Sequence, residues 1–142
     1  MDDKVREAFF KQVEREPFAR KFGFKLLDIK PGYSKLEMNI TPDMENLWGM
    51  AHGSAIFALA DEAFEIASNS YGKVALGLTV SITYISPLSR GRKLIAEAKE
   101  ISQTDEKAVY EIKVFDDEHQ PVAFCQALAY RTRKQLSFLK DH

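Results

Sequence analysis

GSAIFALADEAFEIASNS, residues Gly53 to Ser70, is where the hydrophobic period of the chain changes from two to 3.6. On a helical projection Ile56, Phe57, Leu59, Ala60, Ala63, Phe64 and Ala67 share one broad side. Ser54, Asp61, Glu62, Glu65, Ser68 and Asn69 fill the remaining stripe, with Ala58 the only apolar intruder. A helix with so wide an apolar side buries most of its circumference, and Gly72 closes it. Upstream, Lys25 to Lys30 and Tyr33 to Thr41 read as two strands around Pro31-Gly32. The second alternates Leu36, Met38 and Ile40 with Lys35, Glu37 and Asn39. Before them, Asp3 to Glu16 carries Val5, Ala8, Phe9 and Val13 at helical spacing and stops at Pro17, and Phe18 to Phe22 adds a turn.

Downstream of the long helix the period returns to two. Leu78, Val80, Ile82 and Tyr84 alternate with Thr79, Ser81 and Thr83, and three further alternating runs follow near 92–104, 107–117 and 120–132. No second long helix separates these runs, so they are expected to be antiparallel neighbours. The order helix, two strands, long apolar helix, four strands predicts the α+β class, a curved antiparallel sheet wrapped around a central helix.

Composition narrows the function classes. The 142 residues are 45% hydrophobic, and 20 basic against 21 acidic side chains leave a net charge of −1, so a nucleic-acid partner is not expected. No repeat or linker divides the chain, which predicts one domain over 1–142. The single cysteine, Cys125, cannot form an internal disulfide. The charged amino terminus lacks the apolar stretch of a secretory signal, and the run Ala55 to Ala60 stops at Asp61, far short of a membrane span. A cytoplasmic location and no membrane association are expected.

There is no nucleophile elbow, no phosphate-binding loop and no dinucleotide fingerprint. His52, His119 and His142 lack a second ligand at zinc spacing, so no metal is expected. What stands out is Asn46-Leu-Trp-Gly-Met-Ala-His52-Gly53-Ser54 running straight into the apolar helix, with Asp61 eight residues after Gly53. A helix start exposes unpaired N–H groups and partial positive charge, and glycine permits close approach, so a carbonyl gaining negative charge would be stabilised there. Alternatively, His52 and Gly53 merely cap the helix. Asp61 has two readings as well: an ordinary solvated acid, or a group kept hydrated in a cleft or subunit interface beside costly apolar surface.

From about Phe18 to Thr132 the chain resembles the hotdog-fold acyl-CoA thioesterases of the PaaI-like (phenylacetate-degradation type) group. The resemblance rests on Asn46-x-x-Gly49-x-x-His52-Gly53, Phe57-x-Leu59-Ala60-Asp61-x-Ala63-Phe64, Thr83-Tyr84-x-Ser86-Pro87 and Gly91. It implies that Gly53 polarises a thioester carbonyl, that Asp61 is nucleophile or general base, and that Asn46 and His52 orient water and substrate. It further implies a homodimer or dimer of dimers, and aromatic (phenylacetyl-like) or medium-chain acyl groups. No cofactor is implied beyond the CoA of the substrate. Two departures are visible: Ser54 replaces a second glycine, and only Thr79 or Ser81, near Gly77, can supply a strand hydroxyl that supports the acid in some relatives.

Eight residues of helix put Gly53 and Asp61 about 12 Å apart along the axis, too far for one small carbonyl to meet both. Two antiparallel copies of the helix would close that gap. The expected substrate contacts are Trp48 and the Thr79 or Ser81 hydroxyls, with Arg90, Arg92, Lys93 and Lys107 as candidates for the CoA phosphates. A non-catalytic acyl-CoA-binding module and an enoyl-CoA hydratase or dehydratase are the alternative functions.

Overall fold

The computed structural model describes residues 1–88 and 92–140, so Arg90, Gly91 and His142 lie outside the described residues. Helix α1 (Asp3–Arg15) starts on an Asp2 carboxylate that accepts the Lys4 N–H, and α2 (Pro17–Phe22) uses Pro17 in its first turn and ends on Gly23 in the left-handed region. Strands β1 (Lys25–Lys30) and β2 (Tyr33–Asn39) form the expected hairpin, with Lys30 opposite Tyr33. Its turn residue Gly32 has φ +74°, and a Cβ there would meet the Tyr71 hydroxyl at 3.0 Å and Glu100 at 3.1 Å. Only glycine fits. The second strand stops at Asn39, two residues short of the expected end, because Pro42–Met44 forms a 3-10 turn.

Helix α3 (Gly53–Asn69) is the long apolar helix, and β3 (Lys73–Tyr84), β4 (Lys93–Gln103), β5 (Lys107–Asp116) and β6 (Pro121–Gln135) follow it. The six strands make one antiparallel sheet in the order β1-β2-β4-β5-β6-β3. The four strands after α3 are antiparallel neighbours as expected, in the order β4-β5-β6-β3. Strand β3 does not pair with its sequence neighbour β4; it pairs with β6 at the far edge, Ile82 opposite Cys125. Alternation defines which face a side chain takes and is silent about the partner strand.

Small residues on both layers let α3 sit close to the sheet. Ala60, Ala63 and Ala67 of the helix meet a sheet face that includes Ala96, Ala98, Ala108 and Ala129, and Leu59, Leu94, Tyr110 and Ile112 fill between them. The apolar side of α3 is wider than the periodicity indicated. Ala58 is buried, and so are Glu62 and Ser68, both assigned above to the polar stripe, whereas Phe57 is only half-buried. None of the described helices is long and apolar enough to cross a membrane.

Strand β3 is the free edge of the sheet beyond β6. It carries a bulge at Leu78, since Gly77 pairs with Ala129 and Thr79 with Leu128. Leu76, Leu78 and Tyr84, together with Ile85 just after the strand, are large apolar side chains left about half exposed on or beside that edge.

Candidate active site

The segment leading into α3 is tied down by its own side chains. Asn46 Oδ1 accepts the Trp48 N–H (3.0 Å) and the Met50 N–H (3.1 Å), and the Asn46 N–H donates to Met50 O at 2.7 Å. The turn needs a left-handed residue at Gly49, φ +80°. His52 then caps the helix: its Nδ1 accepts the Ser54 N–H at 2.9 Å. With Nδ1 an acceptor, the neutral imidazole carries its proton on Nε2, so the outward face of His52 is a donor. The capping reading of this histidine is met by Nδ1, which leaves Nε2 free of that bond.

Gly53 opens α3, and among the described residues its N–H has no acceptor. Tyr84 explains why the position is glycine. The Tyr84 hydroxyl donates to Gly53 O at 2.9 Å, and a Cβ on Gly53 would lie 3.1–3.3 Å from three atoms of the phenol. Asn46, Trp48, Gly53 and Tyr84 line a cavity of about 520 Å³ with Ile56 and Ile85. Trp48, one of these lining residues, is 75% exposed and has no aromatic partner among the described residues. Tyr84 belongs to a motif quoted above, yet its role could not be read from sequence, since the contact joins residues 31 apart.

Asp61 faces elsewhere. It lines a second cavity, about 590 Å³, with Phe18, Gly77 and Thr79 among its walls. Loss of hydration against these walls, helped by the Glu65 charge, raises the Asp61 carboxyl above the usual range even though the side chain is exposed overall. A more basic carboxylate is the better proton acceptor. Gly77 permits the approach of Phe64 beneath this wall, as a Cβ there would meet the ring at 3.1 Å. Thr79 joins Asp61 in the cavity; Ser81 is exposed on β3 and does not.

Behind Asp61 the same cavity holds three more acids. Glu62 is 4% exposed, within hydrogen-bonding reach of Glu16 and Glu65, and its Oε2 has no hydrogen-bond partner. Burial first, then these two neighbours, push its pKa up to about 11. One carboxylate oxygen from each of Glu16, Glu62 and Glu65 lies within 4.8 Å of the others, and no ion pair with a lysine or arginine reaches them among the described residues. Sequence reading placed Glu62 and Glu65 in a solvated stripe and gave Glu16 no role. The docking of the α1 carboxyl end onto α3 brings them together.

The basic candidates are scattered. Arg92 is engaged by Asp116, Asp117 and Glu118 at 3.0–3.9 Å, and Lys93 pairs with Glu37 at 3.5 Å. The Lys107 ammonium has no ion pair among the described residues, and Arg90 falls outside them. Cys125, fully buried, has its thiol pushed up to about 11 by burial and the nearby Asp61 charge.

Comparison with known proteins adds independent findings. The family model described as Thioesterase superfamily matches residues 49–123, which include Gly53, Asp61, Thr79 and Tyr84. A candidate esterase of Archaeoglobus fulgidus is 40% identical over 110 residues, covering 78% of this chain and 71% of that protein. The acyl-coenzyme A thioesterase PaaI of Escherichia coli is 28% identical over 131 residues, 92% of this chain and 94% of its own. The solved structure of E. coli PaaI superposes with a TM-score of 0.90, covering 95% of this chain and 98% of that one at 26% identity. A Streptococcus mutans protein solved bound to acetyl CoA superposes at 0.76, covering 80% of this chain and 91% of the other at 25% identity.

Proposed function

Because the chain belongs to the thioesterase superfamily, with the hotdog fold of the PaaI-like group, we propose that it hydrolyses acyl-CoA thioesters at a centre assembled from two copies of itself. The observation that carries this reading is the division of labour along α3. Gly53, whose N–H has no acceptor among the described residues, lines one cavity, and Asp61, eight residues further along the helix, lines another. Neither cavity alone holds both the Gly53 amide at the helix start and the Asp61 carboxylate.

In the proposed centre the thioester oxygen lies at the Gly53 N–H of one subunit, where the helix dipole favours negative charge. The partner's Asp61 either attacks the carbonyl carbon or takes a proton from the water that does. The tetrahedral adduct collapses with cleavage of the C–S bond, CoA leaves as thiolate, and the acid is released. A thiolate is a good leaving group, so no strong general acid is required. The His52 Nε2–H is a donor suited to orienting the carbonyl or the water. Asn46 holds the loop that aims Gly53, its Oδ1 being committed to two backbone N–H groups.

The exposed apolar side chains on and beside β3 support a two-fold pairing along that free edge, which also borders the Asp61 cavity. Trp48 and Tyr84, which line the Gly53 cavity, are assigned here to the acyl-CoA entrance, and Lys107, without an ion pair among the described residues, to a phosphate. Incubation of the purified protein with a panel of acyl-CoAs and a thiol-reactive dye is the first test. No free CoA above background with any acyl class would end the enzyme reading. Asp61→Ala is expected to lower the chemical rate by about 10² or more with CoA still bound. Mixing inactive Asp61→Ala protein with inactive Asn46→Ala protein should restore activity through hybrid subunits; hybrids that stay inactive would refute the shared centre.

A further inference from the structure

The start of α3 is held by three neighbours, and each holds a different part of it. Upstream, Asn46 Oδ1 ties the loop through the Trp48 and Met50 N–H groups. At the helix start, His52 Nδ1 takes the Ser54 N–H at 2.9 Å. From the sheet, the Tyr84 hydroxyl donates to Gly53 O at 2.9 Å, and three atoms of its phenol lie 3.1–3.3 Å from where a Cβ on Gly53 would stand. The Gly53 N–H itself is left without an acceptor among the described residues. Glycine is the residue least able to restrict its own backbone, so the direction of that N–H depends on restraint from outside. Asn46 and His52 fix the residues around Gly53, whereas Tyr84 acts on Gly53 directly.

The base of Tyr84 is firm. It pairs with Ala123 at the end of β3, and just beyond it the Ile85 N–H donates to Val122 O and the Ser86 hydroxyl to Pro121 O, both at 2.8 Å. Its bond to Gly53 O is solvent-exposed, so the bond adds little to stability and its main effect is on geometry. A phenol has one O–H, and this one is committed to Gly53 O, so it cannot also donate to a substrate carbonyl. Partial burial, and after it the nearby Cys125 thiol, raise the phenol above its usual pKa and keep it a donor.

We propose that Tyr84 is the positioning residue of the oxyanion site: its hydroxyl and ring lock the first residue of α3 so that the Gly53 N–H is aimed at the thioester oxygen. The inference rests on the thioesterase reading of Gly53 and adds a residue, 31 positions away, on which the rate depends. Negative charge grows on the thioester oxygen only as the carbonyl is attacked, so a badly aimed donor lowers kcat more than it weakens binding. Removing an oxyanion donor outright costs about 10² to 10³ in rate, and a donor that is kept but loosened costs about tenfold or more.

The experiment uses Tyr84→Phe, which keeps the ring and removes the hydroxyl. With phenylacetyl-CoA and hexanoyl-CoA as probes, kcat is expected to fall about tenfold or more while KM stays within about twofold and the thermal midpoint stays close to the parent's. Tyr84→Leu, which loses the ring as well, should fall further in kcat. The second readout is the infrared C=O stretch of a bound phenylacetyl-CoA analogue that carries a methylene in place of sulfur. On the parent protein the stretch should lie below its value in water, and Tyr84→Phe should return much of that shift. Either readout left unchanged by Tyr84→Phe would overturn the proposal and leave the thioesterase reading standing. A rise in KM at constant kcat would overturn it too, since Tyr84 would then be only a wall of the binding cavity. Release of CoA from neither probe nor from the wider panel would instead remove the thioesterase reading, and this assignment with it.

Discussion

Replacing Glu62 by glutamine should stabilise the protein at neutral pH. In the unfolded chain Glu62 ionises near its ordinary value of 4.5, whereas burial beside Glu16 and Glu65 pushes the folded value up to about 11. The folded state therefore holds a proton that the unfolded state has released. The Glu62 contribution is fully present below pH 4.5 and is lost as pH rises toward 11. At pH 7 the cost of keeping that proton is about 2.5 pH units at roughly 1.4 kcal/mol each, about 3 kcal/mol, and it depends on the unfolded value rather than on how far the folded one has moved. Glutamine is neutral without taking up a proton and keeps an N–H donor for Glu16. Urea unfolding from pH 5 to pH 8 should show Glu62→Gln little changed at pH 5 and up to about 3 kcal/mol more stable at pH 7, with a shallower dependence on pH. Glu16, also shifted upward by burial, retains part of the slope. A variant no more stable than the parent at pH 8, or one with the parent's pH slope, would refute the buried neutral carboxyl.

Gly53→Ala is expected to lower kcat/KM at least about tenfold, because its Cβ would lie 3.1–3.3 Å from the Tyr84 phenol, inside ordinary van der Waals separation, and would displace the helix start. Tyr84→Phe removes only the 2.9 Å bond to Gly53 O and should cost about 1 kcal/mol of stability by thermal or urea unfolding; a loss above about 3 kcal/mol would mean that the hydroxyl does more. Cys125 should resist alkylation at pH 8 in the folded protein and react promptly in denaturant, since its buried thiol is pushed up to about 11; rapid reaction in the native state would contradict that burial.

Much of this molecule is legible in its sequence because periodicity encodes faces. The switch at Gly53 marked α3 to within a residue, and alternation located β4, β5 and β6 almost to their ends. Partner choice left no such trace: β3 lies beside β6 because of the crossover after Tyr84, and nothing in the pattern of Leu78 to Tyr84 specifies which strand receives it. At the site, Gly53 and Asp61 stood out as residue types at a helix start and on a polar stripe. Glu62 did not reveal its burial, because its cover comes from Glu16, 46 positions earlier. Tyr84 was visible as part of a motif, but its purpose depends on a phenol packed against a distant glycine.

The extra residue at Leu78 has a bearing on how copies of this protein meet. A strand edge with an uninterrupted row of N–H and C=O groups accepts any passing β-segment, and stacking can continue without limit. Here the row is broken at Leu78, so a foreign strand finds matching donors and acceptors only for a short stretch before its rhythm fails. A kink that helps to shape the wall beside Asp61 thus also works against fibre growth, and straightening it by deleting Leu78 should make the protein more prone to precipitate.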